Sequence, residues 1–246
     1  MGVDNLAEND DDRSMRYPGG KGKCYQHIIN LLPPHPTYIE THLGGGAVLR
    51  HKKPAYRSIG VDRDPAVIRS WERLFPSLAS YVEADAVDFL ASQRFVGDEV
   101  VYCDPPYLPN TRRRSRVYRH DYSEGDHVRL LEMLRKLSCR VVVSGYPSEL
   151  YDQCLRGWNA QTFSAKAHDG VREEKLWFNF EAPNWLHDPR HLGRNFRERQ
   201  TIKRRLQRLQ RRITTLSLQE KHLLSEWLDD FLQEDGEDAG LLLLDK

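Results

Sequence analysis

Residues 100–122 read VVYCDPPYLPNTRRRSRVYRHDY. A short β-branched run passes directly into an acid, two prolines and a tyrosine. Arg112, Arg113, Arg114, Arg116 and Arg119 follow, five arginines in eight residues. Each proline lacks an amide donor and biases the residue before it toward extended backbone, so the segment is neither mid-helix nor mid-sheet. It reads as a strand end opening into a loop, the setting in which chemistry tends to sit.

Working outward, the same strand-to-loop transition recurs. KCYQHIINLLPPHP (23–36) reads as a helix ended by a double proline, and TYIETHLGGGAVLRH (37–51) as a strand, a glycine turn and a helix start. RSIGVDRDPAVIRSWERLF (57–75) gives a second strand, then Asp62, then a helix with Pro65 in its first turn, where proline is tolerated. YVEADAVDFLAS (81–92) is a third strand-to-helix step, residues 98–103 a fourth strand, and DHVRLLEMLRKLSCRVVVSGY (126–146) a further helix and fifth strand. EEKLWFNFEAP (173–183) closes as an edge or antiparallel strand. Strands alternating with helices at this spacing predict an α/β fold, a mostly parallel sheet flanked by helices. Ligands of such sheets bind at the carboxyl ends of the strands, and Gly44, Gly45, Gly46, Asp62, Asp85 and Asp104 all fall there.

From about Asn184 the character changes. Ile202, Leu206, Leu209, Ile213 and Leu216 make one apolar stripe on a basic helix. Ser217 and Glu220 have the spacing of a capping box before a second helix carrying Leu223, Leu224, Trp227, Leu228, Phe231 and Leu232. The expected organisation is an acidic tail over 1–14, a main domain over 15–183, a basic helical hairpin over 184–233 and an acidic tail over 234–246. The formal net charge of +1 hides a block from Arg190 to Lys221 with 11 basic residues against Glu198 and Glu220, so an anionic partner is expected. Cys24, Cys103, Cys139 and Cys154 lack any paired spacing, which argues against a structural zinc site and for a reduced, cytoplasmic protein. No apolar run approaches a membrane span.

DPPY at 104–107 resembles motif IV of the amino-group DNA methyltransferases, and other segments follow in the order of that family. YPGGKGK (17–23) resembles its N-terminal motif, YIETHLGGGA (38–47) its cofactor loop, GVDRD (60–64) its ribose-binding acid and EADAVDFL (83–90) its adenine-contacting segment. The order is similar to the alpha group, and specifically to Dam-type DNA adenine-N6 methyltransferases, over residues 16 to about 182. The resemblance implies a Rossmann-like methyltransferase with a C-terminal helical appendage, S-adenosylmethionine as cofactor, no metal, and double-stranded DNA as partner. Tyr17, Gly20, Lys21, Glu40, Gly44, Gly45, Gly46, Asp62, Arg63, Asp85, Ala86 and Asp104 would hold the cofactor. Glu40 would face the methionine ammonium or organise its loop, Asp62 would hold the ribose and Asp85 the adenine amine. Asp104, Pro105, Pro106 and Tyr107 would be catalytic.

The chemistry of these residue types agrees. An exocyclic adenine amine is a poor nucleophile because its lone pair is delocalised into the ring. Asp104 and the Pro105 carbonyl, on a loop stiffened by prolines, are preorganised acceptors for its two N–H bonds. Tyr107 is suited to stack on a base rotated out of the duplex. The bland alternatives are a helix cap for Asp62, a purely structural glycine turn at 44–46, and a solvated lysine at Lys21. The sequence also departs from the family. Thr41 and His42 stand where relatives carry a proline-phenylalanine pair, and His42 reads as an ordinary loop histidine. Only about forty residues separate Asp62 from Asp104, too few for the usual inserted recognition domain. That shortfall turns attention to Arg112, Arg113, Arg114, Arg116 and Arg119, interleaved with Tyr118 and Tyr122, as the DNA-contacting loop, with the Arg197–Arg212 helix as a second candidate surface. Methylation of cytosine N4 or of RNA, or a non-catalytic DNA-binding module, are the alternatives. Self-association through the C-terminal helices is a further expectation.

Overall fold

The computed structural model describes residues 24–108, 120–167 and 170–241. Seven strands form one sheet: β1 (Thr37–Thr41), β2 (Arg57–Asp62), β3 (Ser80–Glu83), β4 (Val100–Cys103), β5 (Arg140–Gly145), β6 (Asn159–Ala167) and β7 (Gly170–Phe178). Their order is β3-β2-β1-β4-β5-β7-β6. The first five pair with one another in parallel, and β7 runs antiparallel to both β5 and β6. Of the two alternatives for 173–183, edge or antiparallel, the antiparallel one holds. That stretch ends an antiparallel strand, but β7 lies inside the sheet and β6 takes the edge. No clear local signal marks β6, because NAQTFSAKA is half polar and its register with β7 supplies the order its side chains do not.

The alternation of strand side chains separates two cores. Val101, Cys103, Val141 and Val143 point to one face, packing with Phe89, Leu90, Leu130, Leu131, Leu134, Tyr151 and Trp177. Val100, Tyr102 and Val142 point to the other, with Ile28, Ile29, Leu49, Trp71 and Phe178. The helices that supply these partners are α1 (Tyr25–Ile29), α2 (Ala47–His51), α3 (Pro65–Leu74), α4 (Ala86–Ser92), α5 (Glu124–Leu134) and α6 (Glu149–Cys154). Covering both faces is what allows VVYC and VVVSG to be buried along their whole length.

The starts of α3, α4 and α5 are each set by a local side-chain acceptor. Asp64 caps α3 by accepting from the Ala66 amide at 2.9 Å, with Pro65 at the first helical position. Ser123 and Asp126 form a reciprocal capping box at α5. Residues 184–191 pack back on the main unit: Asp188, 1% exposed, accepts from the Lys53 amide and pairs with Arg190, while the His187 amide donates to Leu32 O. A second compact unit begins at Leu192 and contains α7 (Phe196–Thr214) and α8 (Leu218–Leu241). The Ser217–Glu220 capping box opens α8, with the Ser217 amide donating to Glu220 Oε2 at 2.7 Å and the Glu220 amide to Ser217 Oγ at 3.3 Å.

Candidate active site

The strand order reverses between β1 and β4, and the carboxyl ends at that switch point frame a cleft. Its volume is about 490 Å3 including the open mouth, and it is lined by His42 after β1, Asp62 and Arg63 from β2, and Ala84 and Ala86 after β3. Asp104 and Pro106 after β4, with His120 and Tyr122 further along the chain, complete the lining. Five sequence-predicted residues, Asp62, Arg63, Ala86, Asp104 and Pro106, thus meet in one place.

Asp62 is buried, yet both of its oxygens are satisfied from the backbone. Oδ2 accepts from the Gly44 amide at 2.9 Å and Oδ1 from the Asp64 amide at 2.8 Å. Burial raises its pKa, and these bonds oppose that rise. The cap reading for Asp62 is set aside, since Asp64 caps α3. Asp85 takes the cap of α4, accepting from Val87 and Asp88, and the cleft wall beside it comes from Ala84 and Ala86.

The glycine turn has a structural cause. Gly44 and Gly46 have φ of 44° and 51°, in the left-handed region. A β-carbon on Gly46 would lie 2.2 Å from Trp71 Cζ2, while the Trp71 indole N–H donates to Gly44 O at 2.9 Å. Trp71 therefore packs under the turn and requires Gly46 to be bare. Glu40, 3% exposed, accepts from the Tyr38 hydroxyl and the Leu49 amide, both at 2.8 Å, and so ties β1 to α2. Desolvation raises its pKa to about 8.

Around the DPPY loop, Ser144 Oγ donates to Asp104 Oδ1 at 2.8 Å, and the Tyr102 hydroxyl lies 3.0 Å from Ser144 Oγ. With the serine proton given to Asp104, Tyr102 is the donor to Ser144. Pro105 is buried, and the half-buried Tyr107 ring stands edge-on to Tyr146 at 4.4 Å between centroids. Ser144 was missed from the sequence; the available signal was one small polar residue closing an otherwise apolar strand.

His42 is not an ordinary loop histidine. It is the one non-glycine residue with positive φ among the described residues, at 59°, and it lines the cleft. Its Nδ1 lies 3.1 Å from Thr41 Oγ1, which itself donates to Cys103 Sγ at 3.0 Å. Thr41 thus accepts from Nδ1–H, leaving Nε2 to accept from the Tyr122 hydroxyl at 2.8 Å. Burial lowers the His42 pKa to about 4, so the ring is neutral. Tyr122, grouped with the DNA-facing arginines in the sequence reading, is 4% exposed and packs in the core. Tyr17, Gly20 and Lys21, and Arg112, Arg113, Arg114, Arg116 and Arg119, lie outside the described residues. Among the described residues, no group of three or more His, Cys, Asp or Glu side chains is placed to hold a metal, and no helix is long and apolar enough to cross a membrane.

The strand order with its antiparallel β7, and the cleft at the switch point, define a Rossmann-like methyltransferase fold. Residues 79–167, which include DPPY, match the model of the D12 class N6 adenine-specific DNA methyltransferases, so the resemblance read from DPPY is borne out over that stretch. No curated protein matches the chain. Solved structures similar to it include the N-methyltransferase NodS from Bradyrhizobium japonicum WM9 (12% identity, TM-score 0.47, 65% of this chain and 96% of that one). The 23S rRNA methyltransferase ErmE (12%, 0.44, 67% and 69%) and a precorrin 8W decarboxylase from Methanobacterium thermoautotrophicum (15%, 0.44, 70% and 98%) are others. These likenesses are distant, and the fold assignment stands on the strand order itself.

The cleft fits the cofactor of this class in its donor set. A buried carboxylate at the end of β2 faces it, held rigid by two amides and with lone pairs left for a diol. Two alanines after β3 leave one wall small and apolar, as a flat heterocycle requires.

Proposed function

We propose that this protein transfers a methyl group to the N6 amine of an adenine rotated out of double-stranded DNA. The observation that carries this reading is the convergence of Asp104 and Pro106 with Asp62 in one cleft, inside the segment that matches the D12 class. S-adenosylmethionine supplies the electrophilic methyl when bound.

The protein's own groups do the rest by position. Asp62 binds the ribose diol, Gly44 to Gly46 leave room beside it, and Asp85 takes the adenine amine with the carboxylate oxygen not engaged as a cap. Asp104 accepts one N–H of the target amine and the Pro105 carbonyl the other, drawing the lone pair out of conjugation. Ser144 fixes the Asp104 carboxylate at 2.8 Å, so no reorganisation is needed when charge develops. Tyr107 stacks on the flipped base, and Tyr146 braces its ring from the edge. Arg112, Arg113, Arg114, Arg116 and Arg119 contact the phosphates beside the flipped adenine, which compensates for the short spacing that leaves out a recognition insert.

The test is incubation of the purified protein with unmethylated genomic DNA and S-adenosylmethionine, followed by base-resolution detection of N6-methyladenine. A recurrent methylated motif supports the reading and gives the recognition sequence. N4-methylcytosine, or product found only in RNA, overturns it.

A further inference from the structure

The second unit carries two helices of opposite charge, each with an apolar stripe that the described structure leaves open. On α7, Arg197, Arg199, Lys203, Arg204, Arg205, Arg208, Arg211 and Arg212 stand against Glu198 alone. On α8 the balance reverses: Glu220, Glu226, Asp229 and Asp230 stand against Lys221, and the sequence continues with Glu234, Asp235, Glu237 and Asp238. Leu206 and Leu209 of α7 are 47% and 51% exposed, and no residue of α7 is buried. On α8, Leu223, Trp227, Leu228 and Phe231 are 65%, 57%, 44% and 45% exposed, with Trp227 and Phe231 stacked at 5.5 Å.

The spacings show that these are packing faces rather than scattered surface residues. Leu223, Trp227 and Phe231 form one column at intervals of four, and Leu224, Leu228 and Leu232 the adjacent column, so the face is two residues wide over three turns. The α7 stripe recurs at four, three, four and three, the period of helices that pack along their length. Ile202, Ile213, Leu216, Leu224 and Leu232 are only half-buried. Among the described residues, the two helices thus carry more apolar face than is covered.

We infer that α7 and α8 form an interface between two copies of this chain, the basic helix of one lying against the acidic helix of the other. The charge pattern selects this occupant. A two-fold pair brings each basic helix to an acidic one, buries both stripes and closes on itself. A nucleic acid would match the arginines of α7, but it would leave its leucines in water and meet the carboxylates of α8. The inference is independent of the methyltransferase reading.

The full chain is tested by sedimentation equilibrium from about 1 to 100 μM at about 0.15 M salt. A dimer is expected, and Trp227→Asp with Phe231→Asp should convert it to a monomer of unchanged helical content. A second pair of variants guards against loss of folding: Arg204→Glu/Arg208→Glu/Arg211→Glu in one chain, and Glu226→Lys/Asp229→Lys/Asp230→Lys in another. Each alone should be monomeric, and an equimolar mixture should form a heterodimer, because the reversed charges then meet only across chains. A wild-type monomer throughout that range overturns the inference. So does an arginine variant that loses DNA affinity while its mass in solution equals that of wild type, since α7 is then a nucleic-acid surface.

Discussion

The Tyr122 hydroxyl donates to Nε2 of His42 across 2.8 Å, joining the segment before α5 to the turn after β1. Tyr122 continues the contact inward, edge-on to His127, whose Nδ1 lies 2.8 Å from the Tyr151 hydroxyl. The two walls of the cleft are therefore braced by one bond that is anchored in the core, and the bond needs a neutral imidazole. A phenylalanine at position 42 could not make it.

Removing that hydroxyl should loosen the cleft without unfolding the protein. Tyr122→Phe is expected to raise KM for S-adenosylmethionine by about 5-fold, the equivalent of one hydrogen bond near 1 kcal/mol, with kcat changed by less than about 2-fold. His42→Gln, which keeps an acceptor, should recover part of the loss, whereas His42→Phe should not. Steady-state kinetics with thermal melting checks this; a fall in kcat and in Tm with KM unchanged would mark the bond as merely structural.

Asp104→Ala should abolish turnover and leave cofactor binding nearly intact, because the carboxylate acts on the target amine. Ser144→Ala is the finer probe. It removes the donor at 2.8 Å from Asp104, and a hydrogen bond to a charged group contributes roughly 1.5 kcal/mol or more, so kcat should fall by about 10-fold or more. Calorimetry with S-adenosylmethionine should give wild-type affinity for both variants. Loss of cofactor binding in Asp104→Ala would put that residue in a different role.

The parallel sheet and the loops at its carboxyl ends were legible because each strand announces itself by a β-branched run and each loop by an acid, glycine or proline. Asp62 and Asp104 could be placed together because both end strands of a parallel sheet, whereas Arg63, Ala86 and Pro106 were named through the family resemblance. What the sequence concealed depends on contacts between distant segments. Pro65 at the first helical position marks Asp64 as the cap, but only the distant Gly44 amide shows what holds Asp62, and Tyr122 sits among arginines that make it look exposed. His42 looks like a loop residue until Thr41 is seen donating to Cys103, which fixes its tautomer. β6 was hidden for the same reason, since its order comes from β7.

Gly46→Ala should destabilise the fold by about 2 to 4 kcal/mol. The new β-carbon meets Trp71 at 2.2 Å and 2.6 Å, and the residue must also hold a left-handed φ. The ring has little room to yield, because its indole N–H is held by Gly44 O. Denaturant unfolding of Gly46→Ala, Trp71→Phe and the double variant forms a cycle in which a coupling above about 1 kcal/mol is expected. Additivity would mean that strain in the turn, and not the contact, sets the cost.

Three desolvated groups set an expected optimum of stability near pH 6.5. Desolvation lowers His35 to about 3 and His42 to about 4, so the unfolded chain binds more protons below pH 6.5 and stability falls on acidification from there toward pH 4. Glu40 works in the other direction. Its pKa is raised to about 8, so between pH 4.5 and 8 the folded state holds a proton the unfolded state has released, and stability falls as pH rises. Below pH 6.5 the two histidines outweigh the one glutamate; above it they are neutral in both states and Glu40 acts alone. From pH 6.5 to 8 the loss should be on the order of 1 to 2 kcal/mol. Lys52, lowered to about 8 by burial, opposes further loss above that point. Glu40→Gln retains an acceptor for Tyr38 and Leu49 but cannot titrate, so urea unfolding at pH 5, 6.5 and 8 should show its alkaline decline flattened while the acid limb persists. An unchanged alkaline slope in that variant would assign the decline to another group.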